Sequence, residues 1–234
     1  ADFAEAEPLF RRALSIDKRS YGPNHPHVAT GLNNLAELLR ATNRHAEAEP
    51  LFRRALSIFE TSYGPNHPEV ATGLNNLAHL LYATNRLSEA EPLYRRALSI
   101  FETSYGPNHP TVATGLNNLA VLLRDTDRPL EAESIYRRAV VIFEESSGAW
   151  HPSTAISLQG LGRVLAIQGR PDEAEPMIAR SIAILVAFEV ESGCEHHYRK
   201  LFCEIYEKLL LDRGYSAAST ESRLGALLKP LNLK

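Results

Sequence analysis

Tyr21-Gly22-Pro23-Asn24-His25-Pro26 decides the fold, because the same six positions return as Tyr63 to Pro68 and again as Tyr105 to Pro110. A worn copy, Ser147-Gly148-Ala149-Trp150-His151-Pro152, stands at the next expected place, so the chain repeats every 42 residues. Self-similarity at a fixed period of this size marks a stacked array rather than an ordinary globular core. Between the markers run VATGLNNLAELLRATNR and then a segment like EAEPLFRRALSIFE, copied with few changes.

Each unit reads as two helices. In the first, Val28, Leu32, Leu35, Ala36 and Leu39 recur at three- and four-residue spacings, the apolar stripe of an amphipathic helix. In the second, Ala48, Leu51, Phe52, Ala55, Leu56 and Ile58 do the same. Asn43-Arg44 separates the two with a residue that tolerates left-handed geometry, and Gly169 takes that place in the fourth unit. Asn24 is placed to cap the first helix, with Pro26 in the first turn, where a missing N–H costs nothing. Tyr63-Gly64-Pro65 stops the preceding helix. Pro8, Pro50, Pro92 and Pro176 fall inside the second helices, where each removes one backbone hydrogen bond and bends the helix slightly. They recur in phase, with Ser134 the exception, so they belong to the unit's geometry.

The order of small and large residues resembles the tetratricopeptide repeat: Leu35-Ala36 in the first helix, then Ala48, Phe52 and Ala55-Leu56 in the second. About eight extra residues, Glu60 to His67, lengthen each unit beyond the usual 34 or so. That longer unit, with its E-A-E-P-L and R-R-A-L strings, is similar to the repeats of kinesin light chains and related bacterial proteins. The resemblance is strong from residue 1 to about 190. It implies an all-α, right-handed solenoid of antiparallel hairpins with no catalytic centre.

The boundaries follow from the phase: a half repeat over 1–20, full repeats over 21–62, 63–104, 105–146 and 147–191, and a divergent helix pair over 192–234. Ala1 opens in a second helix without its partner, which reads as a fragment of a larger bacterial-type protein. At the other end Leu201, Ile205, Leu209 and Leu210 give a helix, Gly214 a break, and Ser216 to Leu228 a last helix stopped by Pro230. Eleven helices are expected. Glu207 falls where other units carry Ala36, Ala78, Ala120 and Gly162, so the closing pair should be splayed or more exposed, as suits a solenoid's end.

Stacked hairpins curve and make a concave surface. The resemblance implies that first helices line it. Thr30, Asn33, Asn34, Glu37 and Arg40 lie opposite the core stripe of their helix; Thr72, Asn75, Asn76, His79 and Tyr82 follow in the next unit. Thr114, Asn117, Asn118, Val121 and Arg124 come third, then Ile156, Gln159, Gly160 and Arg163. Adjacent asparagines in mid-helix are locally unfavourable, each roughly 0.7 kcal/mol worse than alanine. Their amides offer donors and acceptors that suit an extended peptide backbone; the alternative is that one of each pair bonds to the next hairpin and sets stacking. Positions that differ between units set specificity: Glu37, His79, Val121 and Arg163 at one place, Arg40, Tyr82, Arg124 and Ala166 at another. Arg40, Arg124 and Arg163 against Glu37 and Asp125 leave a slightly basic wall. An acidic or carboxylate-bearing peptide with an aromatic anchor on Tyr82 would match it.

The rest of the sequence excludes more than it adds. With 234 residues, 44% hydrophobic and 23% charged, and a net charge of −3, the chain has no basic footprint for nucleic acid. No run of about 18 apolar residues exists to cross a membrane. His25, His67, His109 and His151 recur one per unit, roughly 10 Å apart by helix-packing distance, so they cannot share a metal and read as local capping or packing groups. Cys194, His196, His197 and Cys203 match no zinc spacing, and two reduced thiols fit a cytoplasmic protein. Arg11-Arg12, Arg53-Arg54, Arg95-Arg96 and Arg137-Arg138 stand four residues after Glu7, Glu49, Glu91 and Glu133 and read as a solvated, ion-paired face. Gly160-Leu161-Gly162 lies in mid-helix without the lysine of a phosphate loop, and no nucleophile motif is present. The sequence therefore points to a protein- or peptide-binding scaffold with no cofactor and no metal. The alternatives are a structural spacer arm that self-associates through repeat ends, or the sensor array of a larger signalling ATPase or protease.

Overall fold

The structure, a computed structural model, describes residues 3–229. The position of Pro230, expected to stop the last helix, lies outside the described residues. The chain divides into two compact units at Pro107 and Asn108. The first holds α1 (Phe3–Tyr21), α2 (Pro26–Ala41), α3 (His45–Tyr63), α4 (Pro68–Ala83) and α5 (Leu87–Tyr105). The second holds α6 (Pro110–Asp125), α7 (Pro129–Ser146), α8 (Pro152–Ile167), α9 (Pro171–Ser192), α10 (Arg199–Asp212) and α11 (Ala217–Leu227). Among the described residues all regular structure is helical, and the eleven expected helices are present.

Within each unit every helix packs on the next, and the tightest pairs are the hairpins α2–α3, α4–α5, α6–α7 and α8–α9. Their stripes meet as the sequence implies: Leu32, Leu35, Ala36 and Leu39 of α2, and Ala48, Phe52, Ala55 and Ile58 of α3, are all buried. Small residues set the approach. At Gly162, which replaces the repeat's alanine, an added Cβ would stand 2.4 Å from Ile178 Cγ1 and 3.2 Å from the Ala174 carbonyl of the partner helix. Glycine there lets α8 and α9 close on each other.

Each hairpin turn contains one left-handed residue: Asn43, Asn85 and Asp127 have φ near 60°, and Gly169 has 73°. Asn and Asp tolerate this region better than other side chains, which accounts for their recurrence at a single turn position. The second helices end at Gly64 (φ 85°) and Gly106 (φ 89°), a conformation that favours glycine.

Helix starts correct one expectation. The N-cap of α2 is His25 and not Asn24; the Nδ1 atom of His25 accepts from the His27 N–H at 3.2 Å. His67, His109 and His151 cap α4, α6 and α8 identically. Asn24 is instead held by Arg54. A histidine one place before the proline positions its Nδ1 over the first free N–H groups, the role usually taken by Ser, Asp or Asn.

The surface of the second helices is laced with charge pairs. The expected Glu→Arg contacts form at Glu7–Arg11, Glu49–Arg53, Glu91–Arg95 and Glu133–Arg137, each within 2.7 to 2.8 Å. A second set was not read from the sequence. Arg44 holds Glu47 and reaches back to Glu7; Arg86 holds Glu89 and reaches Glu49; Arg170 holds Glu173 and reaches Glu133. Each arginine staples a hairpin turn to the preceding second helix. The carboxyl of Glu49 lies below its usual range: partial burial works to raise it, but hydrogen bonds from Arg53 and Arg86 outweigh that.

The closing pair also departs from expectation. The buried stripe of α10 is Phe202, Tyr206, Leu209 and Leu210, whereas Leu201 is 46% exposed and Ile205 only half-buried. Of α11 only Thr220 and Leu224 are buried, and Arg223 ties it to Glu175 of α9. Glu207 remains partly exposed.

Candidate functional site

In the first unit the outward residues of α2 and α4 form one cluster. Arg40 donates to Glu37 Oε2 through Nη2 at 2.9 Å and Nε at 3.2 Å, so this arginine is already matched by a carboxylate one turn away. His79 sits beside both. Burial of its ring, reinforced by the Arg40 charge and opposed by Glu37, pulls its pKa below the ordinary histidine value. The buried Tyr94 adjoins the same arginine and also Tyr82, and burial is the main reason that the Tyr94 hydroxyl resists ionisation. Four residues singled out in sequence, Glu37, Arg40, His79 and Tyr82, are thus brought together.

The asparagines are partly committed to each other. Asn76 Nδ2 donates to Asn33 Oδ1 at 3.1 Å, bridging α4 and α2. In the second unit Asn117 exchanges two hydrogen bonds with the Ser157 hydroxyl of α8, at 2.8 and 3.0 Å. Asn34 is exposed. The exposed threonines bond to their own helix: Thr30, Thr72 and Thr114 each donate to the carbonyl of the proline four residues earlier, at 3.2 Å. Half-buried amides that fasten neighbouring first helices are stacking devices as well as candidate contacts.

The outward faces of α6, α8 and α10 enclose a hollow of about 200 Å³, lined by Asn117, Val121, Arg124, Ile156, Gly160 and Arg163 with Tyr198, Leu201 and Phe202. Its wall at Tyr136 depends on Gly160, since a Cβ there would meet the tyrosine ring at 2.3 Å. Arg124 is nearly buried and pairs with Asp125 at 2.7 Å, whereas Arg163 is exposed. Gln159 also lines this hollow, but it is 3% exposed and accepts from the Ser181 hydroxyl of α9 at 2.7 Å.

Sequence reasoning missed Tyr198, Leu201 and Phe202. They follow a linker displaced by three residues, so the 42-residue phase gives no equivalent for them; the run of His196, His197, Tyr198 and Phe202, whose rings stack at 4.0 to 5.8 Å, was the available signal. A second, larger hollow of about 440 Å³ lies between α8 and α10, lined by Ile167, Ile178, Ile205 and Leu209 and rimmed by Arg163, Lys208 and Asp212. No helix of the described residues is long and apolar enough to cross a membrane.

Comparison with known proteins agrees with this architecture. The family described as Tetratricopeptide repeat matches residues 1–61, 28–103, 74–145 and 111–185 in overlapping registers. Among solved structures, BtubC (BKLC) from P. vanneervenii is similar at a TM-score of 0.74 and 20% identity, over 97% of this chain and 89% of that one. A Podosopora anserina protein of kinesin-light-chain type with nearly identical TPR-like repeats is similar at 0.65 and 22% identity, over 78% and 86%. A variant of that protein with methionine in place of one glutamine gives 0.68 and 22%, over 80% and 89%. At such identities the likeness is one of fold. No curated protein matches the chain.

Proposed function

Because this chain belongs to the tetratricopeptide repeat family, and is by that membership a non-enzymatic protein–protein interaction scaffold, we propose that it holds a peptide segment of its partner against the outward faces of its first helices. The observation that carries this reading is the hollow in the second unit, where Val121, Ile156 and Leu201 offer apolar surface around the exposed Arg163. Apolar walls with a few convergent polar groups are what a binding pocket needs: area for affinity and a guanidinium fork for orientation. The favoured ligand is an acidic or carboxylate-bearing peptide with an aromatic anchor. Arg124 is nearly buried beside Asp125 and Arg163 is exposed at the hollow, which shifts the emphasis of the reading to Arg163.

Fluorescence anisotropy with labelled peptides tests it. An acidic peptide with one tryptophan should bind, its lysine-substituted counterpart should not, and Arg163→Glu should weaken binding by about tenfold, the effect of reversing one charge contact. Equal binding of both peptides sinks the proposal. A second reading, a structural arm, is favoured by the Asn33–Asn76 bridge and the Arg–Glu staples, which fasten repeat to repeat. If no peptide binds and Asn33→Ala loosens the first unit, that reading gains.

A further inference from the structure

Both hollows of the second unit lie against α8 and α10, and they share a residue. The smaller, of about 200 Å³, has Tyr198, Leu201 and Phe202 of α10 in its wall. The larger, of about 440 Å³, has Ile205 and Leu209 of the same helix, with Ile167 of α8 and Ile178 of α9. Arg163 of α8 borders both. α8 packs less closely on α10 than on α6, which leaves a cleft between the two helices that runs from one hollow to the other.

Charge selects what can lie in this cleft. With the three-residue slip taken into account, Lys208 of α10 occupies the repeat position of Arg163, so two cations stand at one level of neighbouring helices. Both are exposed, and both rim the larger hollow. Earlier units carry Glu37, His79 and Val121 at that position, so the doubled positive charge belongs to this pair of helices alone. Asp212, one turn beyond Lys208, stands on the far rim. A carboxylate is therefore favoured beside Arg163 and Lys208 and disfavoured beside Asp212.

The walls differ in kind. Tyr198 and Phe202 give the smaller hollow aromatic edges, whereas Ile167, Ile178, Ile205 and Leu209 make the larger one aliphatic, with Ile167 58% exposed. Spacing ties the two together. Leu201 and Leu209 are eight residues apart on one helix, about 12 Å along its axis. An extended peptide advances about 3.3 Å per residue with alternate side chains on one face, so side chains four apart lie about 13 Å apart on that face. The side chain midway between them points the same way.

We propose that the cleft holds a partner peptide by two apolar side chains four residues apart, an aromatic one in the smaller hollow and an aliphatic one in the larger, with a carboxylate midway between them on Arg163. This rests on the reading that an acidic peptide with an aromatic anchor lies along these helices, and adds to it a second anchor and a spacing.

Anisotropy of labelled peptides titrated with the full chain tests it. The probes carry the core Trp-Ser-Asp-Ser-Leu or its reverse, each also with the leucine replaced by serine or moved by one residue. In one of the two orders the leucine peptide should bind about tenfold or more tighter than the serine peptide, the effect of burying one aliphatic side chain. The shifted leucine should bind no better than serine. Ile167→Ser, a change at an exposed position, should remove most of the advantage, so that leucine and serine peptides bind alike. If no acidic tryptophan peptide binds, the acidic-peptide reading fails and the second anchor with it. If such peptides bind but leucine gives no advantage in either order, an advantage that survives the shift, or one that Ile167→Ser leaves intact, the second anchor alone is overturned and the acidic-peptide reading stands.

Discussion

Gly160→Ala and Gly31→Ala are the same change at two helical sites, and the packing predicts opposite signs. In a helix interior alanine gains about 1 kcal/mol over glycine. At Gly31 the new carbon meets Leu14 Cδ1 at 3.2 Å, the tip of a flexible side chain on α1 that can give by a few tenths of an ångström. Most of the propensity gain should survive, a stabilisation of about 0.5 kcal/mol or more. At Gly160 the new carbon lies 2.3 and 2.4 Å from Cε1 and Cζ of Tyr136. Normal contact is about 3.5 Å, so ring or helix must move by over an ångström. Tyr136 is 1% exposed and rigid, which puts the overpacking cost toward the upper part of the usual range of about 1–3 kcal/mol. The net effect is a destabilisation of about 1–2 kcal/mol, with the two variants separated by about 2 kcal/mol. Urea unfolding resolves this, because the single tryptophan, Trp150, lies in the turn between α7 and α8 and reports on the second unit, while circular dichroism reports on the whole chain. A Gly160→Ala midpoint raised as much as that of Gly31→Ala would refute the reasoning.

His67→Ala should cost about 1 kcal/mol by uncapping α4 and speed amide exchange in its first turn, while His67→Asn should be close to neutral. Asn33→Ala and Asn76→Ala, measured singly and together by urea unfolding, should show a coupling of about 0.5–1.5 kcal/mol; additivity would mean that the bridge is not formed. The third concerns acid. The Glu49 pKa is depressed in the fold, so its contribution is complete above the unfolded carboxylate value of about 4.3 and is lost as pH falls through the lower folded value. Stability in Glu49→Gln should accordingly fall less steeply below about pH 4 than in the parent, with no difference in slope between pH 6 and 8.

The fold was legible because the sequence states it four times. Period, stripe and punctuation agree at Val28 to Leu39 and again 42 residues on, and tertiary packing had no reason to override them. The candidate site was less legible, for two physical reasons. A face residue can turn toward its own hairpin, as Gln159 does toward Ser181, and nothing in residue type announces the rotamer. Charge read along a sequence also ignores pairing: Arg40 and Arg124 count as basic until Glu37 and Asp125 are seen beside them. Tyr198 and Phe202 were hidden by the three-residue slip in phase before α10. The histidine caps were half visible, since a capping role was expected of them, but Asn24 had the stronger statistical claim to the position.

The Arg–Glu staples bear on how such a chain can change length. The device has two halves, a glutamate offered forward from a second helix and an arginine reaching back from the next hairpin turn, as in Glu7–Arg44, Glu49–Arg86 and Glu133–Arg170. Removing residues 45–86 joins Arg44 to a segment beginning Leu87-Ser88-Glu89, and inserting a copy of that block joins Arg86 to a segment beginning His45-Ala46-Glu47, so in either case the arginine meets a clamp glutamate in the same register. Gain or loss of a whole block leaves no orphaned charge at the seam, and unequal recombination between such similar copies meets no electrostatic penalty that would hold their number fixed.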